Sequence, residues 1–157
     1  MGRIRLLAIA LISSLTLVGA TQEPLESLEL DESGNTSYAI AALSPTYVGV
    51  WEGSGVQNTG SEWSILISIA SGSVNSVVGT IAYPSLRCGG ELTLLESTEE
   101  KIELFENITY GQSSCVARGY VTLEFASSRS LNFYYYDAAN RNGKYSSSGS
   151  LRKISGN

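Results

Sequence analysis

The chain has 157 residues, of which 10 are basic and 15 acidic, and it contains two cysteines and no histidine. The absence of histidine excludes Ser-His-Asp and Cys-His catalysis and His-ligated metal sites. An acidic chain with no basic patch argues against nucleic acid as a partner. We therefore predict no catalytic residue, no cofactor and no metal site.

Residues 1–20 are typical of a cleavable export signal. Arg3 and Arg5 precede an apolar run over residues 6–18, and small residues lead up to Ala20, after which we expect cleavage. The run is shorter than the roughly 20 residues that a membrane-spanning helix needs. We therefore predict a secreted or periplasmic protein with no membrane insertion after cleavage.

Residues 21–44 are predicted to form a flexible, acidic arm. They mix acidic residues with Ser, Gly and Asn, and Tyr38 is their single aromatic residue. Such a composition favours a solvated segment. The alternative is an arm that becomes ordered on a partner.

Residues 45–157 are predicted to form one β-barrel domain. Eight segments suited to strands alternate with turns rich in Gly, Asn and Ser, and no helical period is evident. An eight-stranded meander closes most simply as an antiparallel up-and-down barrel, which leaves no exposed strand edge. The predicted strands are residues 47–54, 63–70, 77–86, 91–97, 102–110, 116–126, 130–137 and 145–154.

Alternation along the predicted strands places Glu106 among inward-facing apolar residues. It shares the parity of Ile102, Leu104 and Ile108. A buried carboxylate needs a partner or a raised pKa. It would pair with a buried donor, contact a ligand inside the barrel, or indicate a different strand register.

A further candidate site is a pair of tyrosines near the end of the chain. Tyr134 and Tyr136 would form an outward aromatic strip, which suits either a partner surface or simply the strand itself.

A hydrolase using paired carboxylates, Glu106 with Asp137 or Glu52, is formally possible. We expect these acids to be ordinary surface or paired residues and predict that the protein is not an enzyme.

Cys88 and Cys115 are predicted to form a structural disulfide. Two cysteines in an exported chain favour a disulfide over free thiols. Cys88 follows the third predicted strand and Cys115 follows the fifth, so a meander places both turns at the same end of the barrel.

Gly49-Val50-Trp51 resembles the G-x-W pattern on the first strand of calycin barrels, the lipocalins and avidins. The resemblance implies a calycin-like, eight-stranded barrel in which Trp51 closes one end. It also implies that a cation near the end of the last strand packs across the indole ring. Arg152, followed by Lys153, occupies that part of this chain, and we take Arg152 as the candidate.

A longer stretch, from Gly49 to the C-terminus, resembles an uncharacterised bacterial secreted domain that is also appended to some bacterial serine/threonine kinases. This resemblance implies a sensing or binding module. The matching pieces are GVWEG (49–53), GTIAYP (79–84), CGGEL (88–92), ENITYG (106–111), Cys115 and GSLR (149–152).

These observations favour an exported, non-enzymatic binding or sensing module whose partner is an unknown small molecule or protein. The candidate ligand-binding residues are Trp51, Glu106, Tyr134 and Tyr136. One alternative is a periplasmic or secreted protease inhibitor, since small periplasmic metalloprotease inhibitors are eight-stranded barrels with one disulfide and an N-terminal arm. Another is a structural envelope protein.

Overall fold

Eight antiparallel strands close into one barrel in the computed structural model, which describes residues 29–30, 36–37 and 41–155. Each strand pairs with its neighbours along the chain, and the last strand pairs with the first to complete the closure. The predicted all-β, up-and-down barrel is therefore confirmed. Its strands are β3 (Gly49–Gln57), β4 (Glu62–Ile69), β5 (Val77–Tyr83), β6 (Cys88–Ser97), β7 (Lys101–Tyr110), β8 (Arg118–Ser127), β9 (Ser130–Asp137) and β10 (Ser147–Ser155).

A separate two-stranded sheet precedes the barrel in the chain. It pairs β1 (Glu29–Leu30) with β2 (Thr36–Ser37) in antiparallel register. The chain divides into two units, Met1–Ala39 and Ile40–Asn157, and this sheet belongs to the first. The predicted export signal and most of the predicted arm lie outside the described residues. Among the residues that are described, no helix is long and apolar enough to cross a membrane.

The barrel interior follows the predicted alternation. In β7, Ile102, Leu104, Glu106 and Ile108 are all buried, while the residues between them are only partly buried. Because successive side chains of a strand point to opposite faces, these positions line the interior. Burying one such aliphatic side chain contributes about 1.5–3 kcal/mol. Most of the buried hydrophobic residues of the other strands belong to the same core.

One end of the barrel, here called the closed end, is filled by Trp51 and Tyr47. Both side chains are fully buried, and Trp51 Nε1 donates a hydrogen bond of 2.8 Å to the carbonyl oxygen of Tyr47. Tyr47 belongs to a short 3-10 helix, Pro45–Tyr47, that enters β3. The Nζ atom of Lys153 lies 5.2 Å from the Trp51 ring centroid. This end is thus packed and its polar atoms are paired.

The residues just before that helix also pack on the barrel. The Leu43 amide donates to the carbonyl of Gly72 at 2.8 Å, and the Ser44 amide donates to Ser97 Oγ at 3.0 Å. The Leu43 side chain is buried in the core. Residues 41–44, which sequence analysis assigned to the arm, therefore contact the barrel.

The predicted Cys88–Cys115 disulfide is confirmed. It joins the start of β6 to the connection between β7 and β8 with a Cα–Cα distance of 6.4 Å and a sequence separation of 27. Cys88 belongs to β6 rather than to a preceding turn, because it pairs in register with Tyr83. The disulfide lies at the end of the barrel opposite Trp51, and a loop of this length corresponds to roughly 3 kcal/mol of stabilisation.

Candidate functional site

The barrel end that holds the disulfide, here called the open end, contains a cavity of about 390 Å³. That volume lies within the range of small-molecule sites in proteins. Exposed apolar residues, Leu86 and Val116, form part of its rim. The inward side chains that line it are Trp63, Tyr83, Glu106, Tyr135 and Ser147.

Two inward glycines accommodate the aromatic rings that line this cavity. An added Cβ at Gly55 would lie 2.8 Å from the Trp63 ring, and one at Gly119 would lie 2.2 Å from the Tyr135 hydroxyl. The two aromatic rings therefore lie against bare backbone. The glycines on β3 and β8 thus let Trp63 and Tyr135 act as walls of the cavity, whereas larger inward residues fill the closed end.

Glu106 is the buried acid of the cavity. Its residue is 1% exposed, and Tyr83 Oη donates a hydrogen bond of 2.6 Å to Glu106 Oε1. Burial raises the pKa of Glu106 to about 7, although the bond from Tyr83 acts in the opposite direction. Burial and the nearby carboxylate also raise the pKa of the Tyr83 hydroxyl well above its usual value. Near neutral pH the acid therefore exists in both protonation states while the tyrosine stays neutral.

Trp63 carries an unpaired donor at the same end. Within the described residues, Trp63 Nε1 is the one buried side-chain nitrogen or oxygen atom that lacks a hydrogen-bond partner. Its ring meets Tyr83 edge-to-face, with 6.5 Å between centroids and an interplanar angle of 76°. Buried donors in folded proteins are normally paired. This N–H group is therefore an unsatisfied donor on a side chain that lines the cavity.

Tyr135 completes the aromatic lining from β9. Its hydroxyl donates to the Arg118 carbonyl at 3.4 Å, which is long for an O–H···O bond. Burial raises the pKa of Tyr135, and the negative charges of Glu106 and Asp137 add to that shift. The hydroxyl is thus a neutral group near Glu106 with only a weak protein partner.

The predicted site residues occupy three different places. Glu106 lines the cavity, whereas Trp51 lies at the closed end and does not line it. Tyr134 and Tyr136 lie on the outer face, where both contact the ring of Tyr145 at centroid distances of 5.1 and 6.5 Å. The structure thus does not bring the four candidate ligand-binding residues together.

Arg152 lies on the outer face as well. Its guanidinium pairs with Glu52, which also points outward because it follows the buried Trp51 in β3. Lys153, the next residue, is the cation that lies over Trp51. Of the acids considered for a carboxylate pair, only Glu106 and Asp137 line the cavity.

Sequence reasoning missed Trp63, Tyr83, Tyr135 and Ser147 as site residues. A usable signal was present, because each lies near the strand end that a meander places beside Cys88. Strand parity then indicates which of these residues point inward. Strand parity does not indicate that the Trp63 indole N–H lacks a hydrogen-bond partner.

Metal and thiol chemistry find no support in the described residues. No group of three or more histidine, cysteine, aspartate or glutamate side chains is close enough there to hold a metal ion. Both cysteines of the chain are in the disulfide.

No protein-family model matches this chain, and no curated protein is significantly similar to it in sequence. Inference about function therefore depends on the barrel and on the chemistry of its cavity.

Proposed function

We propose that this protein is an exported, non-enzymatic binding module that holds a small molecule in the open end of its barrel. The observation that carries the proposal is the cavity of about 390 Å³ whose lining combines the aromatic side chains of Trp63 and Tyr135 with the buried acid Glu106. Ligand sites are typically apolar and aromatic cavities with a few polar groups that orient the guest. The lining of this cavity has that composition.

The difference between the two ends supports binding over a purely structural role. A barrel needed only for rigidity would be expected to fill both ends with its own side chains. Here the closed end is packed by Trp51 and Tyr47, whereas the open end holds a cavity of about 390 Å³.

The proposal includes export from the cytoplasm. A disulfide is favoured in an oxidising compartment, which agrees with the predicted secreted or periplasmic location.

We also propose a distant relationship to calycin barrels and to the bacterial secreted domain. The burial of Trp51 on the first barrel strand, with Lys153 over its ring, supports that relationship.

The proposal is tested by N–H correlation NMR of the full chain titrated with a library of small fragments. The chain has two tryptophans, so two indole signals report on the two ends of the barrel separately. We expect bound fragments to shift the Trp63 indole signal and to leave the Trp51 signal in place. The Ser147→Phe variant, which places a ring in the cavity, should abolish the shift.

A matched control is Ser148→Phe, which adds the same ring at the next position, on the outer face near Tyr134. It should bind as the wild-type protein does. If no fragment moves the Trp63 signal, the cavity is not a binding site, and the inhibitor or structural role becomes the better explanation. Shifts confined to the surface around Tyr134 and Tyr145 would place recognition outside the barrel.

A further inference from the structure

The charge of the cavity is one-sided. Of the residues that line it, Glu106 and Asp137 are acidic, and none is basic. A guest inside the cavity therefore lies beside acidic side chains and aromatic rings and beside no basic lining residue.

Glu106 differs from another acid on the same strand. Glu103, on the outer face of β7, pairs with Lys101 at 3.0 Å and with Arg141 at 2.9 Å. No lysine or arginine of the described residues forms an ion pair with Glu106, whose hydrogen-bond partner is the Tyr83 hydroxyl. A buried carboxylate without a counter-charge is unfavourable in its ionised form. The fold thus supplies positive charge to Glu103 and none to Glu106. A cationic ligand would supply the charge that Glu106 lacks.

The rings around Glu106 favour a cation as well. Trp63 and Tyr83 meet edge-to-face, and Tyr135 lies on the same wall as Glu106. Aromatic faces attract ammonium groups, most strongly where water is excluded. The cavity therefore combines a carboxylate with aromatic rings, the two kinds of group that attract an amine with an apolar body.

We propose that the cavity binds a small organic cation, a protonated amine that donates an N–H hydrogen bond to the Glu106 carboxylate while its apolar part packs on the rings of Trp63 and Tyr135. This inference rests on the proposed function and specifies the class of its ligand.

The proposal requires a particular pH dependence. The groups that face Glu106 are Tyr83 from β5, Tyr135 from β9 and Asp137 at the rim. Both tyrosines stay neutral because burial raises the pKa of each hydroxyl. Since the pKa of Glu106 is raised to about 7, its ionised form, which attracts the cation, increases as the pH rises through that value. Amine binding should strengthen over the same range.

The test uses pairs of probes that share a shape and differ in charge. Tyramine and para-ethylphenol have the same ring and hydroxyl, and only tyramine carries an ammonium group; benzylamine and benzyl alcohol form a second pair. Calorimetric titration of the full chain at about pH 8, above the Glu106 pKa, is expected to show amines bound at least about tenfold more tightly. The Trp63 indole signal should report the bound amine.

Glu106→Gln should abolish this preference and its pH dependence, because the amide keeps the shape and loses the charge. Glu103→Gln is the matched control, since it removes one acid from the outer face of the same strand. It should retain the preference. An unchanged Trp51 indole signal verifies that each variant is folded.

Each outcome decides between two hypotheses. Equal binding of both members of a pair, or a preference that survives Glu106→Gln, overturns the cation proposal and leaves cavity binding intact. If neutral fragments shift the Trp63 signal and no amine does, the conclusion is the same. If neither the amines nor any neutral fragment shifts it, the proposed function fails together with the inference.

Discussion

The two ends of the barrel each hold one tryptophan, and the two differ in burial and in whether the indole N–H is hydrogen-bonded. Trp51, at the closed end, is fully buried and its indole N–H donates to the Tyr47 carbonyl. Trp63, at the open end, is partly buried, and its indole N–H has no partner among the described residues. The same donor is therefore satisfied at one end of the barrel and unsatisfied at the other.

Side-chain volume explains the difference. Toward the closed end the inward positions hold large apolar residues such as Ile69 and Ile102. Toward the open end, Gly55, Gly119 and Ser147 alternate with large side chains such as Trp63 and Tyr135, and the cross-section is not filled completely. A close-packed interior leaves few voids, so the cavity at the open end distinguishes it from the packed closed end.

The largest expected effect comes from truncating the two tryptophans. Trp51→Ala should lower the free energy of unfolding by about 3–5 kcal/mol, because it leaves a cavity in a packed core. Trp63→Ala should cost about 1–2 kcal/mol, since its ring already borders a cavity. Urea unfolding of both variants measures the difference. Equal losses would contradict the distinction between the two ends.

Removing the disulfide should have a smaller effect that is greatest at the open end. The double variant Cys88→Ala, Cys115→Ala should lose roughly 3 kcal/mol of unfolding free energy, because its unfolded state is less constrained. Urea unfolding gives the total, and hydrogen exchange gives its distribution. Adding reductant to the variant provides the control, since it should change nothing further. Exchange that accelerates first around Trp51 would be the contrary result.

The buried acid of the open end should make stability depend on pH. Folding raises the pKa of Glu106 from 4.5 to about 7, so the folded state holds this proton more tightly than the unfolded state does. The contribution of this group is fully present below pH 4.5 and is lost as the pH rises through about 7, a change of about 3 kcal/mol. Urea unfolding across this range should therefore show a decline with rising pH relative to Glu106→Gln.

Glu103→Gln is the comparison, because the pKa of Glu103 is shifted in the opposite direction and its effect on stability should have the opposite pH dependence. Arg141 and Lys101 lower the pKa of Glu103 against the effect of its partial burial, so its contribution is present at higher pH and is lost as the pH falls. Parallel pH profiles for the wild-type protein and Glu106→Gln would show that Glu106 is not the group responsible.

The smallest expected effect separates two adjacent cations of β10. Lys153→Met should cost about 0.5–1 kcal/mol, because it removes a cation from the buried Trp51 ring. Arg152→Met should cost less than about 0.5 kcal/mol, since its pair with Glu52 is exposed. Thermal or urea unfolding measured side by side checks the order, and the reverse order would assign barrel closure to Arg152.

Local pattern accounts for what the sequence alone could predict. The eight strands, the inward position of Glu106 and the Cys88–Cys115 disulfide all follow from an alternation of period two and from the order of a meander. Both rules operate between neighbours in the chain or between consecutive strands. They therefore hold without knowledge of packing across the barrel.

Only the tertiary structure decided which residues meet across the interior. It brought Trp63, Tyr83, Glu106 and Tyr135 together at one end and placed Lys153, rather than Arg152, over Trp51. These contacts depend on strand stagger and on cross-barrel distances, which a pattern along one strand does not contain. The sequence by itself determined the barrel and its buried acid, whereas the cavity and the unpaired indole beside that acid arise from how the strands close.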